Sequence, residues 1–189
     1  SQGSVALHGG AVGNDIVRRV RGHATNPGAM SAADLAGYAP KQREAICTLW
    51  KTIYRVCGFP PPSSGHIAVM QILGLQERAS AVASPLADKL PSADWLHTYT
   101  EAARLAYADR AQYVADPEFV PAPAGRWTSL LDDAYLKQRA SLIGAQSMGS
   151  AKPGVPGGAA SAYAPQGEQP EYGTSHISIV DGEGRAVAM

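Results

Sequence analysis

A threonine that follows a glycine near the end of the chain, Gly173-Thr174, could carry out chemistry on its own backbone. The pair stands where a loop-like sequence changes into a strand-like one, in PEYGTSHISIVD. The Thr174 hydroxyl can attack the Gly173 carbonyl carbon, because glycine has no side chain that would obstruct the attack. Water can then hydrolyse the ester that results. The new chain would begin with Thr174, whose free α-amine has a reference pKa of about 8 and can serve as base for its own hydroxyl.

Other residue patterns give weaker support for a site. The histidines lack the spacing that a zinc site needs, which favours structural or surface roles and no bound metal. The serines of PPPSSG lack the Gly-x-Ser-x-Gly elbow of a nucleophile, and the glycine-rich stretches lack the pattern of a phosphate loop. No organic cofactor is expected. The five histidines are His8, His23, His66, His97 and His176.

Several carboxylates follow one predicted helix and its end, and they could supply a catalytic pair. The interpretation that we favour is a charged helix surface with local partners such as Arg104 and Arg110. Each such pair contributes only tenths of a kcal/mol. The carboxylates are Asp94, Glu101, Asp109, Asp116 and Glu118.

The composition predicts one globular domain of ordinary size. The chain has 189 residues, of which 45% are hydrophobic. Its 16 basic residues balance 16 acidic ones, which gives no electrostatic case for nucleic acid or an anionic membrane. No apolar run reaches the roughly 18 residues of a membrane span. The first residues show no secretory signal, and we expect the sequence to be cut at both ends.

Hydrophobic periodicity predicts a mostly helical chain. An amphipathic helix is expected in AVGNDIVRRVRGHA, and Ser31 with Asp34 should cap a short helix after it. The rigid loop PPPSSG should lead into a buried helix, with Ser63 or Ser64 as its N-cap. Within that helix, Gly74 and also Gly65 suggest close packing against another element.

Two further helices are predicted in the second half of the chain. Ser92 should cap a long helix, SADWLHTYTEAARLAYADRAQYVAD, whose end is marked by Asp116-Pro117. The stretch LLDDAYLKQRASLI should form the next helix. After it, the sequence from Gly144 to Tyr172 is rich in Gly, Ala, Ser, Pro and Gln, which predicts a long flexible loop with little to bury.

The stretch REAICTLWKTIYRVCGF predicts a β-hairpin. Its strands are expected around Glu44–Trp50 and Tyr54–Gly58. Cys47 and Cys57 face each other only if the strands pair in the right register. We favour two half-buried thiols; the alternative is a cross-strand disulfide, which requires an oxidising compartment.

Two strands, TSHISIVD and GRAVAM, are predicted at the end of the chain. The GRAVAM strand is expected to be buried and stops at Met189, which would leave an unprotected sheet edge. The simplest interpretation is that the chain is a piece of a larger protein.

Several of these stretches together resemble the γ-glutamyltranspeptidase family of N-terminal nucleophile hydrolases. Three motifs in the same order carry the resemblance, which extends from about Leu7 to Met189. They are specific for the family rather than for a substrate. The motifs are YRVCGFPPPSSGHIAVMQIL, LHTYTEAARLAYADRAQYVADPEFV and GTSHISIVDGEGRAVAM.

The resemblance implies that Thr174 is the catalytic nucleophile and that the Gly173–Thr174 bond is the self-cleavage site. Ser175 stands where the family commonly has a second threonine, and Gly173 replaces a more polar residue. Neither change removes the required hydroxyl. His176 is expected to shape the strand entrance without transferring a proton, and Pro60–Gly65 should form a structural loop.

The resemblance also implies an α+β fold class, as a fragment of a four-layer αββα sandwich. Residues 1–143 would form the C-terminal part of a large subunit, 144–173 a flexible linker, and 174–189 the first strands of a small subunit. The remainder of the precursor would be the partner that supplies the substrate-gripping arginine and the oxyanion hole. The chain alone should be nearly inactive without them. A periplasmic or secreted location is suspected by the same resemblance.

The function that the resemblance implies is self-processing γ-glutamyl transfer or hydrolysis. The substrates would be glutathione-like γ-glutamyl amides, and an acyl ester on Thr174 would be the intermediate. Two alternatives remain open. One is a related acylase that acts on glutaryl or other side-chain amides, and the other is a non-catalytic helical interaction module.

Overall fold

The computed structural model combines helices with short antiparallel strand pairs, which confirms the mixed helix and sheet class. Its contacts define two compact units, Ser1–Glu44 and Ala45–Met189. The division into 1–143, 144–173 and 174–189 stays a prediction. The structure describes residues 3–79, 84–158, 163–164 and 175–189.

Residues 3–44 of the first unit form three helices. The predicted capping box is confirmed, because the Ser31 hydroxyl accepts the Asp34 backbone N–H at 3.3 Å and the Asp34 carboxylate accepts the Ser31 N–H at 2.7 Å. The amphipathic helix is confirmed too, since its arginines are exposed and its aliphatic face is partly buried. The helices are α1 (Val5–His8), α2 (Ala11–Arg21) and α3 (Ala32–Ala36).

The predicted hairpin opens the second unit. Strands β1 (Ile46–Trp50) and β2 (Tyr54–Gly58) pair antiparallel. The turn between them places Lys51 and Thr52 in the left-handed region, with φ of 49° and 60°. This pairing puts Cys47 directly opposite Cys57.

Cys47 and Cys57 form a disulfide, with their Cα atoms 4.1 Å apart. The interpretation as two half-buried thiols is therefore wrong, and the cross-strand bridge is the arrangement that the structure shows. The reason is the register, because directly opposed residues place their side chains on the same face of the hairpin.

Three helices form the core of the second unit: α4 (Gly65–Arg78), α5 (Ala93–Tyr113) and α6 (Asp133–Ala140). Helix α4 packs against both α5 and α6. The main cluster of buried side chains consists of Ile72, Leu75, Ala102, Leu105, Ala106, Leu136 and Ala140. Another cluster consists of Ile67, Tyr113, Leu130 and Tyr135.

The observed caps and ends of α4 and α5 differ from the predicted ones in two respects. Ser92 caps α5 by accepting the Trp95 N–H at 3.2 Å, as predicted, but the helix ends at Tyr113, before Asp116. Ser64 is the N-cap residue of α4, yet its side chain makes no capping hydrogen bond. Its hydroxyl instead accepts a hydrogen bond of 2.7 Å from the Nε of Arg110 on α5.

Glycine allows α4 and α6 to approach closely at one point. A Cβ atom added to Gly74 would lie 2.7 Å from the Cδ1 atom of Leu136, which confirms the prediction for Gly74. The same prediction is wrong for Gly65, because a Cβ atom there would meet open space. Gly65 occupies the first position of the helix and is exposed.

Short elements complete the described chain, and they connect the helices without adding a large sheet. Two 3₁₀ segments lie between α5 and α6, so the predicted third helix begins later than its apolar pattern suggests. The elements are β3 (Leu86–Ala87), β4 (Leu90–Pro91), the 3₁₀ segments Pro123–Gly125, Trp127–Leu131 and Pro156–Gly158, β5 (Ser178–Val180) and β6 (Ala186–Ala188).

A few residues between 144 and 158 are buried, so the prediction that this stretch has little to bury is wrong for those residues. Met148 and Ala151 pack against the main core cluster, and Pro156 is fully buried. The composition of this stretch does not reveal the packing, because its backbone amides are bound by buried side chains that lie far away in the sequence.

The final strand pair is confirmed, with Ile179 opposite Val187, but its expected burial is wrong. Every residue from 175 to 189 is exposed in this structure. Val180 and Met189 keep 70% and 75% of their surface accessible. The pair therefore presents apolar side chains on the surface of this chain.

Removal of the disulfide should destabilise the second unit. We expect the Cys47→Ser, Cys57→Ser double variant to lose about 3 kcal/mol of unfolding free energy, because a ten-residue loop is no longer closed in the unfolded state. Urea unfolding of wild type and variant measures this loss. A peptide map of non-reduced, thiol-blocked protein made under oxidising conditions should contain the cross-linked pair; finding both thiols free would contradict the disulfide.

Candidate active site and its support

The predicted nucleophile lies outside the described residues, together with Gly173. The described chain resumes at Ser175. The His176 Nε2 atom lies 2.9 Å from the Ser178 hydroxyl, and both residues are exposed. The roles assigned to Gly173 and Thr174 therefore stay predictions.

The chain after Thr174 forms a regular hairpin. Ile177 and Met189 exchange two backbone hydrogen bonds of 2.8 and 2.9 Å. These bonds extend the pairing by one residue, before the start of β5 and after the end of β6. At the turn, the Asp181 carboxylate accepts the N–H groups of Glu183 and Arg185, both at 2.9 Å. The residues that follow the candidate cleavage point thus have a defined strand structure.

On the other side of the candidate cleavage point, residues 147–154 lie against helix α5, and we call them the docked segment. Glu101 holds its first end. This carboxylate is only 1% exposed, accepts the Met148 backbone N–H at 2.7 Å and the Ser147 hydroxyl at 3.2 Å, and pairs with Arg104. Burial alone would raise the pKa of Glu101, but these hydrogen bonds outweigh it and hold the pKa below its usual value.

Asp109 holds the other end of the docked segment. Its carboxylate is fully buried and accepts the Gly154 backbone N–H at 2.8 Å. Three side chains donate to the same carboxylate: Gln71 at 2.5 Å, Tyr135 at 2.8 Å and Arg139 at 3.0 Å. Four donors from three parts of the chain, namely α4, α6 and the docked segment, therefore converge on one buried charge.

Burial has the largest effect on the pKa of Asp109. It raises the pKa above its usual value, although Arg139 and the hydrogen bonds act in the opposite direction. Tyr135 shows the reciprocal effect, since burial and the neighbouring Asp109 charge raise the pKa of its hydroxyl. The ionised carboxylate is thus costly to bury and depends on its partners.

Arg139 connects Asp109 to the docked segment at one more point. Its Nη2 atom donates to the Asp109 carboxylate, to the Lys152 carbonyl at 2.8 Å and to the Leu105 carbonyl at 3.2 Å. Its Nε atom is buried without a hydrogen-bond partner. A single buried guanidinium group therefore joins α5, α6 and the docked segment.

Further along the chain, Tyr163 contacts the C-terminal end of helix α5. The Gln112 side chain donates to the Tyr163 carbonyl at 2.7 Å, and the Tyr163 hydroxyl donates to the Pro121 carbonyl at 2.8 Å. Its ring packs edge-on against Tyr113, whose hydroxyl donates to the Gly154 carbonyl at 2.5 Å. Helix α5 thus contacts the chain at several points between residues 147 and 163.

The interpretation of the α5 carboxylates as a charged surface is wrong for Glu101 and Asp109. Glu101 does pair with Arg104, but Asp109 pairs with Arg139, thirty residues away. The helical spacing contains a usable signal, since Leu105 and Asp109 follow Glu101 at i+4 and i+8 on the buried face. The identity of their partners has no comparable signal in the sequence.

The PPPSSG loop lies next to a buried histidine. His66 contacts the Thr48 hydroxyl across 3.3 Å, and a Cβ atom on Gly58 would lie only 2.6 Å from the His66 Cβ atom. Burial lowers the pKa of His66. This contact packs the hairpin against α4 and agrees with the structural role expected for this residue.

The described part of the chain contains no candidate metal-binding site. Among these residues, no three His, Cys, Asp or Glu side chains are grouped so that they could bind a metal ion. No helix formed by the described residues combines the length and the hydrophobicity needed to cross a membrane.

Solved structures with a similar fold define the class of protein. Cephalosporin acylase from Bacillus halodurans aligns with a TM-score of 0.66 over 97% of this chain and 28% of its own, at 24% identity, which bears on the fold alone. γ-Glutamyltranspeptidase from Helicobacter pylori aligns with a TM-score of 0.63 and 29% identity, over 85% of this chain and 44% of its own. The fold is that of the transpeptidases and acylases of this class.

The sequence profile of the family described as gamma-glutamyltranspeptidase matches residues 1–189. The chain therefore belongs to the γ-glutamyltranspeptidase family, as the resemblance implied. The glutathione hydrolase proenzyme of Pseudomonas aeruginosa is 35% identical over 163 residues, which are 85% of this chain and 26% of that protein. The acylase ACY 1 proenzyme of Pseudomonas sp. strain V22 is 32% identical over 188 residues, which are 100% of this chain and 30% of that protein.

The chain spans only about 26–30% of the length of these two curated relatives. The activity, substrates and partners of the whole protein are accordingly matters for proposal.

Replacing Arg139 should show how much its guanidinium group offsets the free-energy cost of burying the Asp109 carboxylate. We expect Arg139→Met to reduce the unfolding free energy at pH 7 by about 3–5 kcal/mol, because it leaves a buried carboxylate without its cation. The loss should shrink as the pH falls, since without Arg139 the pKa of Asp109 rises further and the protonated form folds more easily. Urea unfolding between pH 5 and pH 8 measures both effects.

The double variant Asp109→Asn, Arg139→Met is the matched control. It removes both charges and should recover part of the lost stability. A single-variant loss below 1 kcal/mol, or one that does not change with pH, would contradict the proposed energetics.

Proposed function

We propose that this chain is part of a self-processing enzyme that transfers or hydrolyses γ-glutamyl groups, with Thr174 as its nucleophile. The observation that carries the proposal is the family match over residues 1–189, which includes Gly173-Thr174 and the strand pair that follows. A glutathione hydrolase proenzyme among the relatives supports the reaction class.

Self-processing would begin as an N-to-O acyl shift. The Thr174 hydroxyl attacks the Gly173 carbonyl carbon, the amide C–N bond breaks, and the hydroxyl proton ends on the released amine. Water then hydrolyses the ester and restores the hydroxyl. The products are a large subunit that ends at Gly173 and a small subunit that begins with Thr174.

Turnover would reuse the same two groups. The free α-amine of Thr174 accepts the hydroxyl proton while the oxygen attacks the γ-glutamyl carbonyl, and the leaving amine takes up a proton. An acyl-Thr174 ester results. Water completes hydrolysis, or the amine of an acceptor completes transfer, which predicts ping-pong kinetics without a metal or organic cofactor.

We further propose that the whole protein is a four-layer αββα sandwich built from the two subunits. The exposed apolar side chains of Val180 and Met189 support packing of the final hairpin against the remaining part of the precursor. The disulfide between Cys47 and Cys57 supports maturation in an oxidising compartment, such as a periplasmic or secreted location.

A related side-chain amide acylase is the other candidate. The acylase ACY 1 proenzyme matches the whole chain at 32% identity, which is close to the value for the glutathione hydrolase proenzyme. Both candidates use the same nucleophile and differ in the acyl group.

A pair of donor substrates separates the two candidates. γ-Glutamyl and glutaryl anilides differ only in the α-amino group of the acyl part. For the cleaved full-length protein, we expect kcat/KM to be at least tenfold higher for the γ-glutamyl donor, because a site that pairs a charged ammonium group rejects the analogue that lacks it. A higher value for the glutaryl donor would favour the acylase.

Self-cleavage tests the role of Thr174 directly. We expect the full-length precursor to split into two fragments, one of them beginning with Thr174, which intact mass and N-terminal sequencing detect. Thr174→Ala should abolish the split because it removes the hydroxyl, whereas Thr174→Ser should retain it. Ser175→Ala is the matched control and should still cleave before residue 174.

A wild-type precursor that stays intact while folded would contradict the enzyme proposal. The helical interaction module would then be the better interpretation. Cleavage of Thr174→Ala at the same bond would equally exclude Thr174 as the attacking group.

A further inference from the structure

We propose that the Cys47–Cys57 disulfide is a thiol-exchange site, at which a small anionic thiol attacks Cys57 under the attraction of Arg55. The product is a mixed disulfide on Cys57, with Cys47 as a free thiol. This inference goes beyond the proposed function and does not depend on Thr174, because the disulfide lies in the hairpin formed by β1 and β2.

The inner face of this hairpin packs on helix α4. Side chains alternate between the two faces of a strand, and the register places Ile46, Thr48 and Gly58 on the same face. Thr48 contacts His66 across 3.3 Å, and Gly58 leaves no room for a Cβ atom beside the His66 side chain. Ile46 packs against the smaller buried cluster. These contacts attach the hairpin to α4 without using either cysteine.

The outer face of the hairpin carries the disulfide. The register places Cys47 opposite Cys57 and, on the same face, Leu49 opposite Arg55. Cys57 and Arg55 are exposed, and Leu49 keeps 66% of its surface accessible, whereas Cys47 is half-buried. A thiol from solvent therefore approaches the disulfide from the side that does not contact α4, and Cys57 is the more accessible of the two residues.

Thiol–disulfide exchange at this site forms one S–S bond and breaks another. The thiolate of the small molecule attacks the Cys57 sulfur, the bond to Cys47 breaks, and Cys47 leaves as a thiolate. Cys47 then takes up the proton that the attacking thiol lost when it ionised. A second thiol molecule can attack the mixed disulfide, which releases a small-molecule disulfide and the Cys57 thiol.

Arg55 gives this site its preference for anionic thiols. It lies two residues before Cys57 on the same face, so that their Cα atoms are about 7 Å apart. Among the residues that the structure describes, no carboxylate forms an ion pair with Arg55. Its guanidinium charge is therefore available to attract an anionic thiol to the disulfide, and salt should weaken this attraction.

The exchange is readily reversed within the hairpin. The inner-face contacts and the strand pairing hold Cys47 opposite Cys57 after the S–S bond has broken. Attack of the Cys47 thiolate on the mixed disulfide is then an intramolecular step, which expels the small thiol and restores the original bond. The site therefore responds reversibly to the concentration of the thiol around it.

The test measures exchange in the full-length oxidised protein with small thiols of different charge. They are 2-mercaptoethanesulfonate, which is anionic, 2-mercaptoethanol, which is neutral, and cysteamine, which is cationic. None of them carries a γ-glutamyl group, so the proposed enzyme activity does not consume them. Samples are quenched with acid, and the remaining disulfide is quantified by mass.

The comparison is between wild type and Arg55→Gln. For each thiol, the wild-type rate is divided by the variant rate, which cancels the intrinsic reactivity of that thiol. The matched control is Arg19→Gln, which removes an exposed arginine from helix α2 in the first unit.

We expect Arg55→Gln to react about threefold more slowly than wild type with the sulfonate at low salt, because the attraction of one nearby charge is lost. Its rate with the neutral thiol should match wild type, and its rate with cysteamine should be higher. The difference should shrink at an ionic strength of about 1 M, and Arg19→Gln should match wild type with every thiol. Equal slowing with all thiols would indicate an altered hairpin and would overturn the role of Arg55.

Peptide mapping of the quenched samples identifies the sulfur that is attacked. We expect the sulfonate thiol on Cys57 and a free thiol at Cys47. A mixed disulfide found mainly on Cys47, or a disulfide that does not exchange while the protein is folded, would overturn the proposal. The Thr174→Ala precursor should give the same rates as wild type, so failure of the proposed function would leave this result unchanged.

Discussion

Two carboxylates buried on one helix impose the strongest constraint on this structure. An ionised carboxylate in a protein interior requires hydrogen-bond donors, and Glu101 and Asp109 obtain backbone donors from the docked segment. Arg139 then joins the same segment to α6. These hydrogen bonds, together with the packing of Met148 and Ala151 on the core, hold the docked segment on α5.

The helices and the hairpin were largely predictable, because their signals are local. Ser31 and Ser92 cap helices as expected, and the alternating stretch around Cys47 forms the predicted strands. The docked segment was not predictable, because its composition is that of a loop and its partners lie up to 47 residues away. The sequence alone does not decide between two thiols and a Cys47–Cys57 disulfide for a similar reason. The disulfide depends on the register of the two strands, which a slip of one residue would change.

The candidate site shows the same division between local and distant information. Gly173-Thr174 was singled out by its chemistry and by its place before a strand, and the strand pair after it is present. The pattern of the α5 carboxylates favours surface charge, although the spacing of Glu101 and Asp109 with Leu105 places these two on the buried face. A charged residue on an apolar helix face is therefore better interpreted as a buried group that needs partners.

The central claim is that two buried carboxylates dock residues 147–154 on helix α5, and amide hydrogen exchange measures this docking most directly. The account predicts that the Met148 and Gly154 amides exchange at least roughly a hundredfold more slowly than in an unstructured peptide. It also predicts that Met148 loses this protection in the Glu101→Gln variant while the amides of α5 keep theirs. Exchange of both amides at the unstructured rate in the folded wild-type protein would contradict the account.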